Sequence, residues 1–259
     1  MEISVFITNK DGEKICEKSG VNEVNLFYGE EYEEGAEINV SIDCVPCFVW
    51  LKVDDSFDRS LVYVTGDVAY KVPFGEKRAN LSPKAFCGNR HLISVRKAMD
   101  FEINAYRNLA LNTSDCHTVK NLYPHATANV ETRGESVFAA QNAINGNTAN
   151  ESHGEWPYES WGINRQDDAC IRIDFGREVT VDRVVLYTRA DFPHDNWWEQ
   201  VHLDFSDGSD ETLELEKSTA PHEFKISPRT ITWIEMNNMK KADDPSPFPA
   251  LTQIEVYGN

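Results

Sequence analysis

The sequence predicts an all-β protein built from two β-sandwich domains, and three observations support this fold class. Short runs of residues alternate between apolar and polar through most of the 259-residue chain, which is the period of a strand buried on one face. Turn-forming residues interrupt these runs, and no long run carries the helical repeat of apolar positions. An apolar content of 41% is enough to fill real cores.

The first half of the chain contains a series of such runs, and each predicts one strand. The predicted strands cover residues 3–7, 37–42, 48–53, 60–64, 91–96 and 101–106. No motif in this half points with comparable force to a chemical activity. We therefore predict a β-sandwich domain of unknown role over residues 1–115.

The second half shows the same alternation of apolar and polar residues. Ile171, Ile173 and Phe175 share one face of a predicted strand that Gly176 ends. A hairpin follows, because residues 200–205 alternate and Asp-Gly at 207–208 supplies the positive φ of a tight turn. Residues 108–124 have the polar turn chemistry of a connector, so a second domain is predicted over residues 124–259.

The charge balance limits the partners. Acidic residues outnumber basic residues by 43 to 25, and the formal net charge of -18 repels phosphate backbones and anionic membrane surfaces. Nucleic acid and membrane insertion are therefore not expected, whereas neutral glycans or a protein partner are compatible with this charge. No basic patch that would favour sulfated glycans is visible in the sequence. The amino terminus lacks the features of a secretion signal, which makes the cytoplasm the default location and leaves an extracellular one open.

The cysteines are expected to be buried free thiols. Their number permits disulfides, but a chain of this length has enough core to fold without them. Cys44 and Cys47 form a Cys-x-x-Cys motif, which elsewhere indicates zinc binding or thiol exchange. The segment that follows it has a strand pattern, and no second metal-binding pair is visible. We therefore expect buried thiols around a turn that contains proline.

Several segments of the second half form an ordered pattern. They are an opening strand at 126–130, an Ala-Gln-Asn-Ala-Ile-Asn-Gly-Asn loop at 140–147, an aromatic segment at 156–161, strands at 171–176 and 181–187, and a closing strand at 251–258. In this order they resemble the galactose-binding-like superfamily, which includes coagulation factor V/VIII type C (discoidin) domains and many bacterial carbohydrate-binding modules. The resemblance implies a galactose-binding-like jelly roll over residues 124–259, with ligands held by loops at one end.

Two loops carry the candidate ligand-binding residues, because sugars stack their C–H faces on aromatic rings and bond their hydroxyls to charged or amide groups. The first loop offers Arg189, Asp191, His194, Asp195, Trp197 and Trp198, and the second offers Trp156 and Tyr158. Adjacent residues of a strand face opposite ways, so at most one of the paired tryptophans is expected in the core. The alternative is that both plug the core and that Arg189 only braces the loop. Trp161 is expected to cover the end of the sandwich.

Members of the resembled family commonly hold a structural calcium ion between an Asp-rich loop and a carboxylate of the last strand. The matching positions here are Ala143, Asn145, Asn147, Thr148 and Glu255. Asn replaces both Asp residues, which removes the negative charge that favours Ca²⁺. The resemblance therefore implies structural calcium as the possible cofactor, with an ion-free loop as the alternative.

The sequence as a whole favours non-catalytic binding of a neutral sugar or glycan. One alternative is an accessory protein whose loops contact a protein partner. Another is a glycoside hydrolase that uses Asp191, Asp195 and Glu199. With 43 acidic residues in the chain, a grouping of three near one loop is weak support for catalysis.

Overall fold

The computed structural model describes residues 1–149, 156–190 and 196–259 and confirms the all-β fold. The strands of the first part are β1 (Glu2–Thr8), β2 (Lys14–Val21), β3 (Glu23–Tyr28), β4 (Glu37–Ile42), β5 (Cys47–Lys52), β6 (Ser60–Val64), β7 (Val68–Lys71) and β8 (His91–Lys97). A short helix, α1, spans Asp100–Ile103. Then follow β9 (Arg107–Asn108), β10 (Leu122–Tyr123), β11 (His125–Ala128), β12 (Trp161–Gly162), β13 (Ile171–Thr188), β14 (Trp198–Phe205), β15 (Asp210–Glu214), β16 (His222–Lys241) and β17 (Ala250–Gly258). Short 3-10 turns lie at Gly75–Arg78, Thr132–Gly134, Ser136–Phe138 and Ala140–Ile144.

The first part of the chain forms two antiparallel sheets, which we call the N-terminal sandwich. One sheet has the order β2-β1-β4-β7 and the other has the order β10-β6-β5-β8-β3. The sheets enclose one apolar core because alternate residues of each strand point inward; Ile3, Val5 and Ile7 of β1 are fully buried. This burial follows directly from the alternating sequence pattern.

The second part, the C-terminal sandwich, curls one antiparallel sheet around a second core, as in a jelly roll. Its strand order is β12-β17-β13-β16-β14-β15, with β11 paired to β13 and β9 paired to β17. The long strands β13 and β16 bend where their pairing is irregular, between Asp174 and Val179 and again between Val181 and Arg183. These bends let the same two strands cover the core from more than one side. The predicted hairpin of β14 and β15 is confirmed.

The two sandwiches meet at the predicted connector, which packs on both of them. Asn108 in β9 pairs with Tyr257 of the C-terminal sandwich, whereas Tyr123 in β10 pairs with Tyr63 of the N-terminal sandwich. Between these strands, the Asn112 side chain donates to the Pro124 carbonyl oxygen at 2.8 Å. The connector is therefore an integral part of the fold, and the domain limits at residues 115 and 124 stay a prediction.

One ion pair fastens the connector to the start of the C-terminal sandwich. Asp115 is buried, and its carboxylate lies 2.6 Å from Nδ1 of His125 and accepts a bond from the Ala126 N–H at 2.9 Å. The carboxylate raises the pKa of His125 above its usual 6.5. His117, whose pKa is raised by Glu131, lies nearby.

We expect this pair to make stability depend on pH. A histidine whose pKa is higher in the folded than in the unfolded protein stabilises the fold below about pH 6.5, and this stabilisation is lost as pH rises through the folded pKa. The melting temperature should therefore fall above about pH 6.5 in the wild type and fall less in His125→Gln. Identical melting profiles for the two proteins between pH 6 and pH 8 would contradict this role.

Two predictions about the first part are wrong. Residues 101–106 are predicted to form a strand, but the helix α1 (Asp100–Ile103) covers the first part of this segment. Its first turn is closed by Glu102, which accepts a bond from the Met99 N–H at 2.8 Å and pairs with Arg96 at 2.6 Å. The thiols are free but not buried: Cys44 is exposed, and Cys47 is half-buried with its pKa raised to about 11 by burial.

Among the described residues, no helix is both long enough and apolar enough to cross a membrane.

Candidate functional site

A cleft of about 180 Å³ opens at one end of the C-terminal sandwich. It is lined by Thr132, Arg133, Phe138, Tyr158, Gly162, Ile163, Asn164, Arg189, Phe248, Pro249 and Ala250. These residues come from four separate parts of the chain, which the sheet brings to the same end. One residue from each of the two loops that the sequence singles out, Tyr158 and Arg189, lines the cleft.

Arg189 and Tyr158 form the inner wall of the cleft. Arg189 follows β13, and its backbone N–H donates to the Ala250 carbonyl oxygen at 3.3 Å, which places it beside the start of β17. Its side chain is buried and donates from Nη1 to the Tyr158 carbonyl oxygen at 2.9 Å. The guanidinium carbon also lies 4.8 Å from the centre of the Tyr158 ring. Arg189 therefore holds the aromatic loop against the end of the sheet.

Phe138 continues the aromatic wall next to Tyr158. The two rings meet edge to face with their centres 5.8 Å apart, a favoured geometry for aromatic pairs. Arg133 covers Phe138, with 5.5 Å between the guanidinium carbon and the ring centre, and forms a two-bond pair with Glu135. The Glu135 carboxylate keeps the Arg133 side chain over the ring and raises the pKa of Arg133.

Phe248 also lines the cleft. It lies in the proline-rich segment before β17, and its carbonyl oxygen accepts a bond from the Asn196 N–H at 3.3 Å. The Arg165 guanidinium lies 4.4 Å from the centre of the Phe248 ring. The cleft is thus bordered by aromatic rings that each carry an arginine, although the chain as a whole is strongly acidic.

Gly162 forms the floor of the cleft. A Cβ atom on this residue would lie 2.7 Å from Oγ1 of Thr132 and 3.2 Å from the Phe138 ring, so only glycine fits here. Thr132 Oγ1 also accepts a bond from the Asn164 N–H at 2.9 Å. Asn164 itself has a φ of 49°, and this left-handed turn brings it to the rim.

The structure brings two of the predicted ligand-binding residues, Arg189 and Tyr158, together in this cleft. Trp156 is 41% exposed but does not line it. Trp161, which was expected to close the sandwich, is fully buried, and its indole N–H donates to the Val130 carbonyl oxygen at 2.9 Å. The predicted residues Asp191, His194 and Asp195 lie outside the described residues.

The prediction that Trp198 contacts a ligand needs correction. Its ring is fully buried and stacks on Trp161 with 6.4 Å between the ring centres. Val201, Leu203 and Phe205 point into the core, so strict alternation would put Trp197 inside and Trp198 outside. The pairing of β14 with β16 is irregular between Trp198 and Gln200, and this irregularity reverses the two faces. Trp197 is consequently the half-buried one, with the Lys217 ammonium 4.9 Å from its ring.

Sequence reasoning missed Arg133, Phe138, Asn164 and Phe248. Phe138 and Phe248 are 110 positions apart in the sequence, and neither lies in a motif of the resembled family. Only the fold brings them together, although a phenylalanine in a proline-rich loop was a weak signal. The same fold gathers arginines that the sequence shows as isolated.

The predicted calcium loop does not fit a calcium ion. The Gln253 side-chain amide donates to the carbonyl oxygen of Asn142 and to Oδ1 of Asn145, at 2.5 and 2.8 Å, and thus occupies oxygens that a cation would need. Its own oxygen accepts a bond from the Gly146 N–H at 2.9 Å. The Glu159 carboxylate accepts a bond from the Asn147 amide at 2.5 Å.

The other predicted calcium ligands also lie away from such a site. Glu255 is half-buried, and burial raises the pKa of its carboxyl group, which accepts a bond from the Tyr257 hydroxyl at 3.2 Å. Ala143 is fully buried, and Thr148 is exposed without a described side-chain contact. Calcium prefers several negatively charged or carbonyl oxygens that are not already hydrogen-bonded. In this structure the Gln253 amide bonds to two of the oxygens that would have to bind calcium.

The carboxylates proposed for a hydrolase are not assembled among the described residues. Glu199 lies in β14, does not line the cleft and pairs with Lys240 at 2.8 Å. Its two suggested partners, Asp191 and Asp195, are outside the described residues.

Residues 121–248 match the model of a family described as a domain of unknown function (DUF7402). No curated protein matches the chain.

Several solved structures are similar to between 51% and 59% of this chain. Chitosan-binding module 1 of a chitosanase/glucanase from Paenibacillus sp. IK-5 is 21% identical, with 58% of this chain and 98% of that chain covered and a TM-score of 0.41. A family 32 carbohydrate-binding module from C. perfringens NanJ, in complex with galactose, is 16% identical, with 51% and 91% covered and a TM-score of 0.39. A fucose-binding module from Streptococcus pneumoniae is 12% identical, with 59% and 98% covered and a TM-score of 0.42. At these identities and TM-scores, the similarities assign no ligand to this chain.

Proposed function

We propose that this protein binds a carbohydrate in the cleft between Tyr158, Arg189 and Phe248, without covalent chemistry. The observation that carries the proposal is the lining of the cleft, which combines the aromatic rings of Phe138, Tyr158 and Phe248 with guanidinium and amide groups. A sugar needs this combination, because its C–H faces pack on rings while its hydroxyl groups require hydrogen-bond partners.

The walls of the cleft are held in place before any ligand arrives. Tyr158 is fixed by Arg189, and Phe138 lies between Tyr158 and Arg133. A ligand would therefore not have to order these side chains, which lowers the entropic cost of binding. The Arg133 and Asn164 side chains at the rim remain exposed and are available to hydroxyl groups.

The chemistry of the lining supports binding over catalysis. Among the described residues, no Asp, Glu or His lines the cleft. Glycoside hydrolysis uses a pair of carboxyl groups on either side of the scissile bond. A cleft of about 180 Å³ also holds little more than one sugar ring, which is consistent with weak recognition of a terminal unit.

A glycan array tests the proposal with three proteins. The wild type should bind at least one sugar, and Phe248→Ala should weaken that binding about fivefold or more, since it removes a stacking wall worth about 1 kcal/mol. Phe27→Ala is the matched control, because Phe27 is 62% exposed and lies far along the chain on β3 of the N-terminal sandwich. Chitosan oligosaccharide, galactose and fucose are suitable first sugars.

Each outcome of the glycan array has a distinct interpretation. Equal binding by Phe248→Ala and wild type would remove the cleft from consideration, and the absence of any glycan signal would favour the protein-partner alternative. We propose that the Gln253 amide closes the neighbouring loop without calcium, so a chelator should leave binding unchanged.

A further inference from the structure

A second, smaller cleft lies at the junction of the two sandwiches. It is lined by Phe48 and Tyr63 of the N-terminal sandwich, by Arg107 and Tyr123 of the connector, and by Arg177 of β13, among others. Its volume of about 10 Å³ is close to that of one water molecule. The distinctive feature of this cleft is that two arginines share it.

Both arginines are half-buried and held in place. The Arg177 guanidinium carbon lies 4.8 Å from the centre of the Phe48 ring, and Nη1 donates to the Glu178 carbonyl oxygen at 2.8 Å. Nη1 of Arg107 donates to the carbonyl oxygens of Ile103 and Ala105, at 2.6 and 3.2 Å. Each guanidinium has further N–H donors that these bonds do not use.

Neither arginine has an ion pair among the described residues. Burial, and then the charge of Arg107, lower the pKa of Arg177 to about 10, and burial also lowers the pKa of Arg107. Both groups nevertheless stay protonated at neutral pH. Two positive charges thus line the same partly dehydrated cleft.

This arrangement is unusual for a chain with 43 acidic residues. Four other partly buried arginines pair with a glutamate: Arg96 with Glu102, Arg172 with Glu235, Arg183 with Glu223 and Arg229 with Glu211. Arg78 donates to the Ala85 carbonyl oxygen instead, but it does not line this cleft. Two adjacent half-buried cations without a counterion are costly, and a bound anion would offset that cost. The Phe48 ring beside Arg177 offsets only part of this cost.

We propose that Arg107 and Arg177 form a binding site for a small monovalent anion, with a carboxylate as the best fit. A planar carboxylate matches the fork of a guanidinium group. The volume of the cleft admits one oxygen atom of such a group and excludes a sugar ring. The anion can be free in solution or be the carboxylate of an acidic sugar whose ring stays outside. This site is separate from the Tyr158–Arg189 cleft and does not depend on sugar binding there.

Thermal unfolding in increasing acetate tests the site. The melting temperature of the wild type should rise by several degrees and saturate, because a ligand that binds only the folded state stabilises it. The rise should be lost in Arg107→Gln and Arg177→Gln. Arg59→Gln is the matched control for general salt effects, since Arg59 is an exposed arginine of the N-terminal sandwich outside the cleft. It should respond as the wild type does.

Further arms identify the source of the anion and guard against unfolded variants. Galacturonate should match or exceed acetate if acidic sugars bind, and a response to acetate but not to galacturonate would point to free anions. Any rise with galactose, a candidate ligand of the Tyr158–Arg189 cleft, should be the same in Arg107→Gln and Arg177→Gln as in the wild type. Arg177→Lys keeps the charge but loses the fork, so it should fold and show a smaller rise. Equal acetate responses in wild type and all three cleft variants, or no saturable rise in the wild type, would overturn the proposal. Sugar binding at the Tyr158–Arg189 cleft should survive in Arg177→Gln.

Discussion

Trp198→Ala is expected to lower the free energy of unfolding by about 3–5 kcal/mol, the usual cost of removing a large core side chain. Trp198 is fully buried and stacks on Trp161, so the substitution leaves a cavity at the centre of the C-terminal sandwich. The measurement is chemical denaturation followed by far-ultraviolet circular dichroism. Trp156→Ala is the matched control; Trp156 is 41% exposed, and its loss should change stability by less than about 0.5 kcal/mol.

A second substitution separates packing from hydrogen bonding. The indole N–H of Trp198 is buried without a hydrogen-bond acceptor among the described residues. Trp198→Phe should therefore cost clearly less than Trp198→Ala, because it keeps much of the apolar volume and removes an unpaired donor. Comparable stability of Trp198→Ala and Trp156→Ala would show that Trp198 is not in the core and would restore it as a candidate ligand-binding residue.

Gly258→Ala should be as damaging as a core truncation, at about 2–4 kcal/mol. A Cβ on Gly258 would overlap the Thr180 carbonyl oxygen. The atoms that it would meet belong to the backbone of Thr180 and Val181, so they cannot turn away as a side chain could. The next residue pairs with Thr180 through two backbone hydrogen bonds, of 2.9 and 3.0 Å, which hold the end of β17 against β13. The added methyl group would force these strands apart.

Gly208→Ala is the control that isolates the steric cause. Gly208 has a φ of 83° in the β14–β15 turn but has open space where a Cβ would stand. It should lose about 1 kcal/mol through backbone strain alone. Since Gly258 has no positive φ, a smaller loss for Gly258→Ala than for Gly208→Ala would contradict the close approach of β17 and β13.

Much of the fold follows from local pattern. The residues of β1 and β4 largely alternate between apolar and polar, β6 is an almost continuous apolar run, and each forms a strand where one is predicted. The strand β2 was missed because almost all of its side chains are exposed, so it has no buried stripe to detect. The helix α1 was missed because the strand prediction there depended on only two alternating apolar residues, Phe101 and Ile103. So short a pattern does not predict a strand reliably where Glu102 closes the first turn of a helix.

The candidate site was predictable only in part, for reasons that the geometry makes clear. Tyr158 and Arg189 were found because each lies in a loop with a mixture of aromatic and charged residues. Phe138 and Phe248 were not, because their proximity depends on how β13 and β17 pair. The orientation of Trp198 depends on one irregular pair in β14, which no periodicity reveals.

The most direct test of carbohydrate binding is a crystal structure with the sugar that binds best on the array. The sugar is predicted to lie between the rings of Tyr158 and Phe248, with a hydroxyl group bonded to Arg133 or Asn164. A sugar bound at any other surface, with this cleft empty, would contradict the assignment of the site.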